Sequence, residues 1–120
     1  MTDRTAQPCG DKPNCVSTID ERERFTLEPF TLKQGVTLEQ VEEVAVTLPG
    51  AKRTDKAADY LRIECTSRVM RFVDDLELKI DGQNLIVRSE SRVGHSDFGV
   101  NRKRAEQLRS KLREADLLIP

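Results

Sequence analysis

The chain has 120 residues, 34% of them charged, with a net charge of −1 and a pI near 5.9. That length holds one core of useful size, so a single domain over residues 1–120 is expected. Leu, Ile, Val and Phe make up about a quarter of the chain, above the ~20% below which chains usually stay disordered. No apolar run approaches the ~18 residues of a membrane span, and Met1 to Asn14 lacks the apolar stretch of a secretory signal. These features lead us to expect a soluble, cytoplasmic α+β domain without a membrane span.

The small net charge hides a segregation. Residues 1–50 sum to −4, residues 51–87 to 0, residues 88–113 to +5 and the last seven to −2. A basic segment in a near-neutral chain either faces an anion or meets the acidic half of its own protein.

Residues 1–24 read as largely irregular, punctuated by Pro8, Gly10 and Pro13. Phe25 to Leu32 reads as a short edge strand, since Pro29 cannot donate to a central ladder. A helix is expected over 38–48: Thr37 caps it, Gln40 completes a capping box, and Pro49-Gly50 ends it. Lys52 to Ala57 reads as a short strand. Leu61, Ile63 and Cys65 alternate with Arg62 and Glu64, and Leu76, Leu78 and Ile80 alternate with Glu77 and Lys79. Asp81 to Asn84 forms a turn, and Leu85 to Val93 returns as the partner strand. A tight hairpin sets Leu78 opposite Val87, Glu77 opposite Arg88 and Phe72 opposite Val93. The last helix is expected from Arg102 to Ala115, capped by Asn101. The expected architecture is an antiparallel four-stranded meander packed against two helices, with an irregular N-terminal loop.

Several residues break this pattern. Asp74 continues the inward row of Leu76 and Leu78, and the same register puts Ser91 opposite Asp74 and Ser89 opposite Leu76. Buried polar groups need partners, at ~1–3 kcal/mol each when left alone. On the outer face Asp75 faces Glu90, a repulsive pair that a cation on the next strand, Arg62 or Arg68, would relieve. Arg88 to Arg104 is the densest stretch, with His95, Ser96 and Asp97 between Gly94 and Gly99. Arg102, Lys103 and Arg104 crowd the positive end of a helix. Salt bridges from Asp97 and Asp74, or a bound carboxylate or phosphate, would offset that.

Other chemistry is poorly supported. The lone histidine, His95, has Ser and Asp neighbours but no G-x-S-x-G elbow, so a catalytic triad is not expected. Cys9 and Cys15 are open to a short-loop disulfide, a redox role or plain packing and loop tethering. Zinc would draw on Cys9, Cys15, Cys65 and His95 without a C-x-x-C knuckle, so no metal or cofactor is expected. A nucleic-acid partner is disfavoured, because Tyr60, Phe72 and Phe98 make no stacking platform.

Pro8-Cys9, Pro13-Asn14-Cys15-Val16-Ser17, Phe72-Val73-Asp74-Asp75 and the run from Arg88 through Arg104 resemble the family called domain of unknown function 1499. The resemblance spans about residues 8–112. It implies no activity, and its motifs fall on the rule-breaking positions. Relatives often carry an aromatic where His95 stands, which argues against His95 as an essential base, and the family's inclusion of exported proteins leaves the compartment open.

Three readings follow. A binding or scaffold module would receive a small anionic molecule at a polar corner drawn from Asp74, Asp75, Ser89, Ser91, Arg92, Ser96, Asp97, Asn101, Arg102 and Arg104. A hydrolase or transferase would use Asp74, Asp75 or Asp97 as acid, base or metal ligand. A salt-bridged brace would have no ligand at all.

Overall fold

The alternating sequence between Ala51 and Ser91 folds as an antiparallel meander, and short segments from the acidic N-terminal part extend it. The computed structural model describes residues 3–120. Its elements are β1 (Cys15–Ser17), β2 (Phe30–Thr31), α1 (Leu38–Ala45), β3 (Ala51–Lys56), β4 (Tyr60–Thr66), β5 (Val73–Asp81), β6 (Asn84–Ser91) and α2 (Val100–Glu114). The sheet order is β1-β6-β5-β4-β3, with β2 also pairing with β6.

The expected four-stranded meander is thus the middle of a six-stranded sheet. Left alone, β6 would present a row of unpaired backbone groups. β1 covers one half of it, from Cys15 opposite Glu90 to Ser17 opposite Arg88, and β2 covers the other through Phe30 and Thr31. β1 is too short for alternation to reveal it, and β2 is what remains of the expected edge strand. The strand expected over Phe25 to Leu32 shrinks to Phe30–Thr31, because Pro29 has no N–H and Leu32 lies beyond the start of β6, where its N–H donates to the Gln83 carbonyl in the turn and it bridges Leu118.

The hairpin register is the expected one from Asp81 opposite Asn84 to Asp74 opposite Ser91. The ladder stops there, so Phe72 and Val93 form no pair. Arg71 adopts a left-handed backbone, φ 58°, and the 67–72 loop closes on itself. The Ser67 N–H donates to the Phe72 carbonyl and the Phe72 N–H to Ser67 Oγ, each at 2.8 Å.

Both helices pack on one sheet face. Leu38, Val41 and Ala45 of α1 and Ala105, Leu108 and Leu112 of α2 bury against Leu61, Ile63, Leu76, Leu78 and Val87. The Thr37–Gln40 capping box forms in both directions. The helix ends at Ala45, three residues early, because the chain tightens into i→i+3 bonds at Thr47 and Leu48. α2 starts two residues before the expected Arg102, with Gly99 as its N-cap, so Asn101 lies inside the helix.

Gly50 joins α1 to the sheet at φ 69°, and a Cβ there would lie 2.2 Å from the Thr66 carbonyl oxygen. Gly82, at φ 61°, has open space around it. Gly50→Ala should therefore destabilise by more than the ~1 kcal/mol of left-handed strain expected for Gly82→Ala. Thermal melts of the two variants check this ordering.

Candidate functional site

The polar residues on the inner face meet where β5 begins, β6 ends and α2 begins. Asn101, fully buried, is the centre of this corner. Its Oδ1 accepts from Ser89 Oγ at 2.6 Å and from Arg104 Nη1 at 3.0 Å. Its Nδ2 donates to Ser91 Oγ at 2.9 Å, Asp97 Oδ2 at 2.7 Å and the Asn14 carbonyl at 3.1 Å. Two hydrogens serve three acceptors, so one is shared. Arg104 Nη1 also reaches Asp74 Oδ2 at 2.8 Å. The structure brings Asp74, Ser89, Ser91, Asp97, Asn101 and Arg104 together in one neighbourhood.

Asp97, not Asn101, satisfies the start of α2. Its carboxylate accepts from the N–H groups of Gly99 and Asn101, which puts a negative charge at the positive helix end. Ser96 is exposed, and its hydroxyl oxygen accepts from the Phe98 N–H at 3.3 Å. Arg102 turns away to donate to the Arg24 carbonyl and lines a separate cleft of about 190 Å³ with Pro13, Cys15 and Arg24.

The Cys9–Cys15 disulfide closes a loop that docks against this corner. The Ser91 N–H donates to the Asn14 carbonyl, the Asp97 N–H to the Pro13 carbonyl, and Asn14 Nδ2 to the Gly94 carbonyl. At the loop's other end Asp20 accepts from the Cys9 N–H and from Arg22, whose guanidinium also donates to the carbonyls of Cys9 and Gly10. Cys65 remains a free thiol in the core, where burial pushes its pKa up to about 11 and keeps it protonated.

Asp75 and Arg92 do not join the corner, because neighbouring strand residues face opposite sides of a sheet. Asp75 lies on the outer face with Glu64, Glu77 and Glu90, against Arg4, Arg62, Arg88 and Arg92. The repulsion between Asp75 and Glu90 is relieved by Arg62 at 2.9 Å and by Arg92 at 2.8 Å, while Arg4 bridges Asp75, Glu77 and Glu90 from above. Arg68 takes no part. Glu77 is fully buried and also accepts from the Tyr60 hydroxyl at 2.8 Å. Burial raises the Asp75 pKa, but the Arg92 hydrogen bond and the charges of Arg92, Arg62 and Arg4 outweigh it and hold the carboxyl below its usual range.

Above the inner corner lies an open groove of about 440 Å³. Its floor is Asp74, Ser91, Asp97 and Arg104, and its apolar walls are Phe72, Val93, Phe98 and Val100. Arg104 directs Nη1 to Asp74, Ser89 and Asn101, whereas its Nε and Nη2 donate to nothing among the described residues. Among the described residues no group of three or more His, Cys, Asp or Glu is placed to hold a metal ion.

Arg4 escaped the sequence reading, Asn14 entered it only within the Pro13-Asn14-Cys15 motif, and Phe72 and Val93 entered it only as an expected strand pair. The Asn14 carbonyl is a backbone contact from a distant loop and leaves no sequence signal. Arg4 could have been inferred from the outer rows, since Glu64, Asp75 and Glu90 stand side by side and demand added cations.

The depressed carboxyls set an acid limit. The Arg22 hydrogen bond is the main reason that the Asp20 pKa falls to about 2, below an unfolded value of about 3.9. This stabilisation is complete above the unfolded pKa and is lost as pH falls through the folded one. The melting temperature should drop between about pH 5 and pH 2, and Asp20→Asn should flatten that slope while lowering the neutral-pH value. An unchanged acid slope in Asp20→Asn would contradict this assignment.

No match is found among curated proteins or among solved structures. A family model described as "Protein of unknown function (DUF1499)" matches residues 5–112. That match takes in Arg4's neighbours on the outer face, the disulfide loop, the Asn101 corner and most of α2, so the chain belongs to the DUF1499 family.

Proposed function

We propose that the protein is a small binding module whose inner groove holds an amphipathic anion, a carboxylate or phosphate carrying a short apolar group. The observation that carries this reading is the unused edge of Arg104 at the floor of a groove with apolar walls. A guanidinium edge offers two parallel donors to a carboxylate or phosphate. The volume suits a small ligand, and the lining pairs the apolar walls with Ser67, Ser91, Ser96 and the charged groups of the floor. The nearby acids compete weakly, because Asp74 is held by Arg104 and both Asp97 oxygens accept from the start of α2.

A second reading, the ligand-free brace, draws support from the saturated hydrogen bonding of Asn101. The hydrolase reading loses Asp75 to the outer face, and its other two carboxylates, Asp74 and Asp97, share the groove floor but are engaged by Arg104 and by the start of α2.

An NMR titration with hexanoate and hexyl phosphate separates the first two. Saturable shifts are expected at the amides of Ser91, Val93, Val100 and Arg104. Arg104→Lys keeps the charge facing Asp74 but removes the forked edge, and should weaken binding roughly tenfold with little change in melting temperature. Absence of saturable shifts at millimolar probe would leave the brace.

A further inference from the structure

The groove opens at one end of the molecule, and this end is where the exposed apolar side chains collect. Of the large apolar residues exposed among the described residues, only Val46 and Ile119 lie elsewhere. Val69, Met70, Phe72, Val93, Phe98 and Val100 belong to the 67–72 loop, the 92–99 loop or the first residue of α2. Val69 is 84% and Phe98 95% exposed, so both are protruding tips and not parts of a flat face. Phe98 also sits at φ 53°, a left-handed backbone that bulky residues rarely adopt.

Cations accompany these tips. Arg68, Arg71 and Lys103 are exposed and make no ion pair among the described residues. The same loops hold one acid, Asp97, which is bonded to the helix start. Elsewhere most cations are matched by carboxylates, as on the outer face. Apolar tips with unpaired Arg and Lys beside them match the boundary layer of an anionic bilayer, where side chains enter the acyl region and cations meet lipid phosphates.

We infer that this end of the domain docks on an anionic lipid bilayer, with Val69, Met70 and Phe98 entering the interface and Arg68, Arg71 and Lys103 contacting the phosphates. Protruding tips favour a deformable lipid surface over a rigid protein partner, which would need a complementary cavity for each. Phe98 also lines the groove, whereas Val69 and Met70 do not, so Val69→Asp is the variant that separates this inference from a soluble ligand in the groove.

Co-sedimentation with vesicles of phosphatidylcholine and phosphatidylglycerol in equal parts tests the inference, with pure phosphatidylcholine for comparison. Binding to the anionic vesicles is expected, falling in high salt. Val69→Asp and Phe98→Asp should each weaken it about tenfold or more, and the double variant Arg68→Gln/Arg71→Gln severalfold. Both Asp variants alter exposed positions, and unchanged melting temperatures show that they fold. No sedimentation with anionic vesicles, or binding that both Asp variants leave intact, would overturn the inference. So would a dimer in sedimentation velocity that Phe98→Asp dissociates, since the tips would then serve a second copy.

Discussion

A single buried amide ties together segments that are far apart in the chain. Asn101 links α2 to the disulfide loop through Asn14, to β6 through Ser89 and Ser91, and to β5 through Arg104 and Asp74. A buried donor or acceptor left without a partner costs about 1–3 kcal/mol, and Asn101 satisfies several at once. An amide puts an acceptor oxygen and two N–H donors on one short planar group, as this network requires. Asp or Leu at this position would leave one side of the network unpaired. The groove floor inherits its rigidity from this group, because Ser91, Asp97 and Arg104 are all fixed by it.

The outer face solves a different problem with the same N-terminal segment. Strands whose second face is charged normally leave that face in water. Here Arg62, Asp75, Glu77 and Arg88 are buried instead, with Arg4 lying across the acids and Arg88 donating to the carbonyls of Gln7 and Pro8. Removing one member of such a buried ionic group costs about 3–5 kcal/mol, although an apolar replacement of the whole layer could be equally stable. The ionic layer therefore fixes where the N-terminal segment lies more than it adds to net stability. From that layer the chain passes through Cys9 and returns at Cys15 to reach the inner corner, so one short segment braces both faces.

Much of this was legible in the sequence, and the exceptions have physical causes. Period-two alternation in β4, β5 and β6 fixed the register, and with it the placing of Asp74, Ser89 and Ser91 on the inner face. The same rule separated Asp75 and Arg92 from the corner, an outcome that grouping them by proximity in sequence obscured. β1 left no signal because a three-residue strand carries no periodicity, and β2 was expected only as part of a longer edge strand over Phe25 to Leu32. The cap of α2 was misplaced because Gly99, whose left-handed backbone ends the loop, allows the helix to start before Asn101 and leaves the capping role to Asp97. The groove walls were missed because exposed apolar residues in loops stand out only once the fold brings two loops together.

The disulfide loop holds the Asn101 corner, and with it the floor of the groove, separately from the rest of the sheet. Amide hydrogen exchange, followed with the Cys9–Cys15 bond intact and then reduced, tests it most directly. Closing so short a loop is worth about 2 kcal/mol in the chain-entropy picture. Reduction should speed exchange at Ser91 and Asp97, whose N–H groups donate to Asn14 and Pro13, by roughly tenfold or more. The amides of Leu61 to Thr66 and Leu76 to Ile80 should hardly change. Acceleration spread evenly over the sheet, or unchanged exchange at Ser91 and Asp97, would contradict it.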